Sequence, residues 1–241
     1  MCKVMGIVNV TPDSFSDGGQ FFRPEEAVRR AKNLIADGAD IIDLGGESTR
    51  PGATPISWEE EWSRIEPVLA DLASSVSRLK SFQISVDTYH PETAERAIKA
   101  GANIINCVYP EPIPEMLKLL EGNDVELVLP AKALFPLPSS LFPRLYLDPM
   151  IGFNTTREED VELLRSIPEL AKKGRVLVGA SRKRIVKKLV GEKSAVGKNI
   201  GGNVAIAIWA ALNGASVVRV HDVKETVQAL RVVDALGEGE R

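Results

Sequence analysis

Cysteine is scarce in this chain, and so are long apolar runs. The 241 residues contain two cysteines, Cys2 and Cys107, which form neither a spaced disulfide framework nor a metal-binding pattern. The start of the chain, MCKVMGIVNVTPD, lacks the basic region and the long apolar stretch of a signal peptide. No apolar run reaches the roughly 18 residues that a membrane span needs. We therefore expect a cytoplasmic, reduced protein without a membrane partner.

An excess of positive charge is also missing. The chain has 30 Lys and Arg against 33 Asp and Glu, a net charge of −3, whereas a nucleic-acid surface normally shows a basic excess. We therefore expect no nucleic-acid partner. Hydrophobic content of 44% and charged content of 26% are ordinary for a globular protein, and no linker or composition shift divides the sequence. The length suits one α/β barrel domain spanning residues 1–241.

Short apolar runs recur along the chain and alternate with amphipathic stretches. Near-continuous apolar strands that alternate with helices indicate a parallel sheet covered on both faces. Eight such units in a chain of this length predict a (β/α)₈, or TIM, barrel. The eight runs are 4–9, 41–44, 84–87, 104–106, 126–130, 144–148, 175–181 and 217–221.

The segments between the runs predict helices over 25–38, 92–101 and 158–174, because apolar residues recur there every three or four positions. Pro24 and Pro91 stand where a first helical turn tolerates proline. Glycines that each follow a helical run predict left-handed helix ends at Gly38, Gly101 and Gly214.

The unit between the fifth and sixth runs differs from the others. Its sequence AKALFPLPSSLFP contains Pro136, Pro138 and Pro143, and three prolines in so short a segment leave no room for a full helix. We predict that the fifth outer helix is missing or reduced to a turn.

Polar residues lie within or at the carboxyl ends of the apolar runs. These strand ends form one rim of a parallel barrel, and active sites are built there. A single Asp at such a place could equally cap a helix, but eight polar positions together favour a site. They are Asn9, Asp43, Asp87, Asn106, Asp148, Ser181, Arg219 and His221.

The residue types at this rim suit a polar, anionic ligand. Carboxylates and amides can hold a polar heterocycle, and Lys183, Arg219 and His221 can hold a phosphate. Arg219 and His221 are two residues apart on a strand, which places them on one face. A structural alternative pairs Arg219 with Asp222 or with a nearby carboxylate and leaves His221 as a buried, hydrogen-bonded side chain. His90, before Pro91, is expected to be an ordinary loop residue.

Six ordered motifs resemble the dihydropteroate synthase family at family-like spacing over nearly the whole chain. They are NVTPDSFSDGG (9–19), DLGGESTRPGA (43–53), SVDT (85–88), DPMIGF (148–153), GASRK (179–183) and RVHD (219–222). The resemblance implies a homodimeric transferase with a (β/α)₈ barrel. It implies that 6-hydroxymethyl-7,8-dihydropterin diphosphate and p-aminobenzoate are joined with release of pyrophosphate, in folate biosynthesis.

The resemblance also implies a role for each matching residue. Asp87, Asn106, Asp148 and Lys183 are expected to bind the pterin. Asn9, Arg219 and His221 are expected to bind the diphosphate, with Mg²⁺ at Asn9. Asp43 is expected beside the developing cation, and Asp43, Lys183, Arg219 and His221 form the expected catalytic set. The arylamine is expected to contact Thr49, Arg50, Pro51, Phe153 and Ser181.

The chain departs from the family pattern at four places. The fourth strand continues Asn-Cys-Val-Tyr-Pro where Asn-Asp-Val is usual, and the fifth ends VLPAKA without its usual histidine. The fifth helix is reduced, and DPMIGFNTT replaces a DPGIGFGKT-like loop. These changes leave open that the amine substrate is a related arylamine rather than p-aminobenzoate, such as the ribosylated aniline of methanopterin pathways. Two other classes stay open: a pterin-binding module that passes a methyl group to a corrinoid partner, and a non-catalytic barrel whose lost helix marks a docking surface.

Overall fold

The computed structural model describes residues 2–11, 23–48, 53–75, 82–134, 137–191 and 199–237. Eight parallel strands close into a barrel in chain order, which confirms the predicted (β/α)₈ fold. The strands are β1 (Lys3–Asn9), β2 (Ile41–Gly45), β3 (Gln83–Asp87), β4 (Ile104–Asn106), β5 (Glu126–Pro130), β6 (Leu145–Asp148), β7 (Arg175–Val178) and β8 (Val217–Val220).

Nine helices lie in the described part of the chain. They are α1 (Pro24–Ala36), α2 (Trp58–Ser75), α3 (Pro91–Lys99), α4 (Ile113–Lys118), α5 (Arg157–Arg165), α6 (Ile167–Ala171), α7 (Arg184–Val190), α8 (Ile200–Leu212) and α9 (Val223–Gly237). None of these helices has the length and apolar character needed to cross a membrane.

The chain groups into two compact units. The first unit comprises residues 7–36 and 40–129, and the second comprises residues 1–6, 37–39 and 130–241. Within the first unit, β2, β3, β4 and β5 pair in parallel. Within the second, β6 pairs with β7, β7 with β8, and residues 3–6 of β1 with β8. That residues 1–241 form one domain stays a prediction.

The strands are apolar because both of their faces are covered. All five residues of β2 are buried, and in the first unit α2 buries Ile65, Val68, Leu69 and Leu72. Burying one such side chain is worth about 1.5–3 kcal/mol. Strands that are buried on both faces are apolar along their whole length. Their apolar runs could therefore be recognised from the sequence alone.

The helix-end predictions are confirmed. Helices α1 and α3 begin at Pro24 and Pro91, and Gly38, Gly101 and Gly214 have φ of 104°, 104° and 94°. A Cβ at Gly214 would also come within 2.9 Å of the Ala171 side chain. Glycine is therefore needed there for both backbone conformation and space.

One predicted helix differs from expectation, whereas the fifth helical unit is reduced as predicted. The single helix predicted over 158–174 is two helices, α5 and α6, that meet at Ser166. Pro168 lies in the first turn of α6, where its missing N–H does no harm, whereas inside one long helix it would remove a bond. Between β5 and β6 the described residues form two 3₁₀ turns, Ala131–Leu134 and Ser139–Arg144, which confirms the reduced fifth unit.

Candidate active site

Asp43 is the centre of a buried polar cluster in the first unit. It lies in the middle of β2, and it is fully buried. Ser85 stands opposite it in the β2–β3 register and donates a hydrogen bond from Oγ to Asp43 Oδ1 at 2.5 Å. The Asn106 side-chain amide donates to Asp43 Oδ2 at 3.4 Å. The strand register therefore brings together two of the predicted site residues.

Asn106 carries an acceptor that the described chain leaves unused. Its Oδ1 is buried and has no hydrogen-bond partner among the described residues, which is costly unless a ligand donates to it. Asp87 ends β3 and stands opposite Asn106 in the β3–β4 register. This pair of strand ends can therefore offer carboxylate and amide oxygens to the N–H groups of a heterocycle.

A further acidic residue of the first unit was not among the predicted site residues. Glu61 of α2 is fully buried, and its Oε2 accepts a hydrogen bond from Thr88 Oγ1 at 2.6 Å. Burial raises the pKa of Glu61, against the lowering effect of its bonds from Thr88 and Thr93. Glu61 lies four residues before Ile65 and seven before Val68, so its place on the apolar stripe of α2 could have revealed it.

Aromatic side chains surround Glu47, just after β2. The Tyr89 hydroxyl donates to Glu47 Oε2 at 2.9 Å, and His90 Nε2 lies 3.8 Å from the same oxygen. The Tyr89 ring packs against the His90 ring at a tilt of 37°, with centroids 4.2 Å apart, and its centroid lies 4.9 Å from that of Tyr109. Burial and the bond to Glu47 raise the Tyr89 pKa. His90 is thus a half-buried N-cap residue of α3 rather than an ordinary loop residue.

Cys107, which follows Asn106, is not an activated nucleophile. Its thiol is buried, and burial raises its pKa to about 12. A reactive cysteine needs the opposite shift, because the thiolate is the reacting form. This departure from the family motif therefore adds apolar packing to the site rather than new chemistry.

Asp148 and Lys183 are brought together in the second unit. Asp148 ends β6, is 4% exposed, and accepts a hydrogen bond from the Met150 amide at 2.6 Å. Burial raises the pKa of Asp148, while the positive charges of Lys183 and Arg219 oppose that shift. One buried carboxylate with two cations in range can hold a ligand that is polar at one end and anionic at the other.

The loop after β6 holds the Lys183 side chain. Lys183 Nζ donates to the Ile151 carbonyl at 2.6 Å and lies 4.3 Å from the centroid of the Phe153 ring, a cation–π distance. Lys183 and Phe153, predicted for the pterin and the arylamine respectively, are therefore neighbours.

A closed circuit of hydrogen bonds joins the ends of β7 and β8. Ser181 Oγ lies 3.1 Å from His221 Nδ1 and accepts from the His221 amide at 3.3 Å. Next to them, Asn203 of α8 accepts from the Arg182 amide at 2.9 Å and donates to Asp222 at 3.0 Å. Asp222 also accepts from the Arg182 guanidinium at 2.7 Å. The circuit fixes the segments that carry Ser181, Lys183 and His221.

The burial of Arg219 and His221 fits the predicted alternation of side chains along β8. Both are half-buried, while Val218 and Val220 between and beside them are buried. The two oxygens of Asp222, the alternative partner for Arg219, accept from Arg182 and Asn203. Arg182 therefore belongs to this circuit and was not among the predicted site residues.

The residues expected to bind metal and arylamine are only partly described. Asn9 ends β1 and is half-buried. Within the described residues, no group of three or more His, Cys, Asp or Glu could hold a metal ion. Thr49, Arg50 and Pro51, and most of the 9–19 motif, lie outside the described residues.

Comparison with known proteins gives one consistent answer. Residues 5–136 and 141–221 match the family model described as "Pterin binding enzyme". The dihydropteroate synthase of Staphylococcus haemolyticus is 36% identical over 261 residues, which cover 99% of this chain and 96% of the relative.

Solved structures agree. The Xanthomonas albilineans dihydropteroate synthase with 4-aminobenzoic acid superposes with a TM-score of 0.87 at 38% identity, covering 98% of this chain and 93% of the other. The same enzyme in complex with 7,8-dihydropteroate gives 0.80 at 35% identity, covering 98% and 94%. The chain therefore belongs to the pterin-binding enzyme family and, within it, to the dihydropteroate synthases, which are transferases.

Proposed function

We propose that this transferase joins 6-hydroxymethyl-7,8-dihydropterin diphosphate to p-aminobenzoate or a related arylamine and releases pyrophosphate. The observation that carries the proposal is Asp148, a buried carboxylate at the end of β6 that lies within electrostatic range of Lys183 and Arg219. Solved relatives bind 4-aminobenzoic acid and 7,8-dihydropteroate, one substrate and the product of this reaction. We propose that the product serves folate or related pterin cofactor biosynthesis.

The chemistry requires charge stabilisation and orientation. The bond between the pterin methylene carbon and the diphosphate oxygen breaks, and its electron pair leaves with pyrophosphate. The pterin ring delocalises the resulting cation, the amine nitrogen forms the new C–N bond, and the nitrogen then loses a proton. An enzyme accelerates such a step by stabilising the leaving anion and by holding a weak nucleophile in place.

In this proposal the pterin is held by Asp87, Asn106, Asp148 and Lys183. The Asp148 carboxylate accepts N–H bonds from the ring, and the Lys183 ammonium donates to a ring acceptor. Asn106 Oδ1, buried without a partner among the described residues, receives a further N–H. Asp43 stabilises the developing cation, since its bonds from Ser85 and Asn106 fix a buried carboxylate.

The diphosphate is assigned to Arg219 and His221, together with Asn9. Arg219 can donate two parallel bonds to a phosphate, and the Ser181 contact orients the His221 ring. Mg²⁺ keeps several waters and needs few protein ligands beside phosphate oxygens, so the half-buried Asn9 amide fits this ion without an acidic cage. A bound Mg²⁺ would neutralise charge on the leaving pyrophosphate.

The arylamine is assigned to Phe153 and Ser181, with Thr49, Arg50 and Pro51. The Phe153 ring offers an apolar face for the aromatic ring of the amine. Rates of pyrophosphate release with p-aminobenzoate and with a ribosylated aniline would identify the amine. We expect a higher kcat/KM for p-aminobenzoate, and the reverse order would assign the chain to the second amine.

The methyltransferase alternative makes a different demand on the site. Methyl transfer to a corrinoid partner needs no diphosphate grip, so Arg219 and His221 would have no role in it. Pyrophosphate release that requires an arylamine would support the synthase. Methyl transfer without such release would support the alternative.

We propose that the protein is a cytoplasmic homodimer. Helices α8 and α9 expose large apolar side chains: Trp209 is 49% exposed, Leu212 66%, Val232 59% and Leu236 76%. Exposed apolar residues of this size on neighbouring helices are typical of protein interfaces. Light scattering should give twice the chain mass for the parent and the chain mass for Leu212→Glu, and a monomeric parent would contradict the proposal.

A further inference from the structure

The loop that follows β6 contains unusual backbone conformations. Met150, Gly152 and Asn154 have φ of 66°, 78° and 52°, so three of five successive residues are left-handed. Non-glycine residues seldom adopt this region, and they keep it only where the surroundings hold them there. The loop therefore needs an anchor, and such strain commonly accompanies a functional site.

The anchor is Asp160 of α5. Its Oδ1 accepts a hydrogen bond from the Gly152 amide at 2.7 Å and another from Thr155 Oγ1 at 2.6 Å. Thr155 Oγ1 also accepts from the Gly152 amide, at the longer distance of 3.1 Å. Asp160 is fully buried, and both of its bonds are partly buried. The start of α5 is closed separately by a capping box between Thr156 and Glu159. The bonds of Asp160 are therefore available to fix the loop rather than to cap the helix.

The anchored loop shapes the surroundings of Lys183. The Ile151 carbonyl accepts from Lys183 Nζ at 2.6 Å, and the Phe153 ring lies below the same ammonium. The packing is close, because a Cβ on Gly152 would approach Lys183 Cδ to 2.9 Å. The Met150 amide, at the start of the loop, donates to Asp148. A shift of this loop would move the Lys183 ammonium and the Phe153 ring together.

We infer that Asp160 is a positioning residue of the reaction: it holds loop 150–155 so that the Ile151 carbonyl and the Phe153 ring orient the Lys183 ammonium. The inference rests on the proposed function, in which Lys183 binds the pterin and Phe153 the arylamine. Asp160 itself contacts the loop and acts through it.

The geometry also specifies which property of Asp160 is used. Both bonds go to Oδ1, while Oδ2 is buried without a hydrogen-bond partner among the described residues. The positioning role therefore needs an acceptor oxygen rather than a negative charge. Asn retains that oxygen, and Ala removes it. Asp160→Asn should preserve the role, and Asp160→Ala should abolish it.

The experiment compares three variants with the parent chain. Asp160→Ala removes the anchor, Asp160→Asn retains the acceptor, and Thr156→Ala is the matched control. The control removes the side-chain cap at the start of the same helix and leaves both Asp160 bonds in place. Melting temperature, hydrogen exchange at the Gly152 amide, the Kd of the pterin diphosphate and the KM of p-aminobenzoate are measured for each.

We expect the Gly152 amide to exchange slowly in the parent, in Asp160→Asn and in Thr156→Ala. It should exchange faster in Asp160→Ala, where the shorter of its two bonds is lost and the 3.1 Å bond to Thr155 Oγ1 remains. Asp160→Ala should raise the pterin Kd and the arylamine KM at least about tenfold, because two hydrogen bonds to the anchor are lost together. Asp160→Asn should stay within about threefold of the parent, and Thr156→Ala should lower the melting temperature with both constants unchanged.

Three results would overturn the inference. One is a Gly152 amide that exchanges as slowly in Asp160→Ala as in the parent. Another is equal ligand constants in Asp160→Ala and Thr156→Ala, which would reduce Asp160 to a stability residue. The third is an Asp160→Asn variant as impaired as Asp160→Ala, which would show that the charge matters. Amide exchange needs no turnover, so a parent that fails to release pyrophosphate contradicts the proposed function alone.

Discussion

Asn203→Ala should be unusually costly for a single amide deletion. Asn203 is 4% exposed on α8 and makes two bonds, one from the Arg182 amide and one to the Asp222 carboxylate. The substitution leaves the amide of left-handed Arg182, with φ of 59°, without its acceptor. It also removes one donor from Asp222, which is 8% exposed.

The expected loss follows from those two bonds. A neutral hydrogen bond contributes roughly 1 kcal/mol and one to a charged group roughly 1.5–3 kcal/mol, so we expect a loss of about 2–4 kcal/mol in the free energy of unfolding. For a chain of this size, 1 kcal/mol lowers the melting temperature by about 2–4 °C. The variant should therefore melt roughly 5–15 °C below the parent.

A matched control lies on the same helix. The Asn213 side chain donates to the Trp209 carbonyl at 2.8 Å, in an exposed bond at the C-cap of α8. Asn213→Ala should lose less than about 1 kcal/mol, because water can replace an exposed partner. Urea unfolding of both variants gives the comparison. Equal losses at the two positions would refute the claim that the circuit around Asp222 is a stabilising network.

Three further predictions concern charged groups. Arg219→Ala should melt within a few degrees of the parent and lose at least about 100-fold in turnover; unfolding or normal turnover would contradict its role. Lys183→Ala and Asp148→Asn should each raise the pterin Kd at least about fivefold in calorimetry; unchanged affinity would contradict the pterin assignment. Glu61→Gln should gain melting temperature relative to the parent as pH rises from 4 to 8; a constant difference would contradict a raised pKa.

The sign of the Glu61 effect follows from its burial. Its folded pKa lies above the ordinary value of 4.5, so the folded state binds the proton more tightly than the unfolded state. Protonation of Glu61 therefore stabilises the folded parent fully below the pKa of the unfolded state. This stabilisation is lost as pH rises through the pKa of the folded state. Glutamine does not titrate, so its advantage must grow across that interval.

The barrel could be predicted because its strands are buried on both faces. Such strands show as apolar runs, and their ends are marked by polar residues such as Asp87, Asn106 and Asp148. Proline gave similar local information, since a helix cannot continue across the segment that contains Pro138 and Pro143. In each case the physical constraint acts within a few residues.

The residues that hold the backbone around the candidate site could not be predicted in the same way. Asp160 is one of three acidic residues in the first turn of α5, and Asn203 lies within the helical pattern of α8. Only the folded chain shows which backbone amides they bind. Met150 and Asn154 stand where the DPGIGFGKT-like pattern has glycine, yet both keep a positive φ. Asn tolerates this conformation better than most residues, but the side-chain type of Met150 gave no sign of it, because tertiary contacts enforce it there.

The most direct test of the central claim is the stoichiometry of the reaction. Purified parent protein is supplied with Mg²⁺, 6-hydroxymethyl-7,8-dihydropterin diphosphate and p-aminobenzoate, and pyrophosphate and dihydropteroate are quantified over time. We expect the two products to appear in equal amounts, with neither forming at a comparable rate when the arylamine is omitted. Pyrophosphate release that is independent of any arylamine, or no release with either candidate amine, would contradict the account.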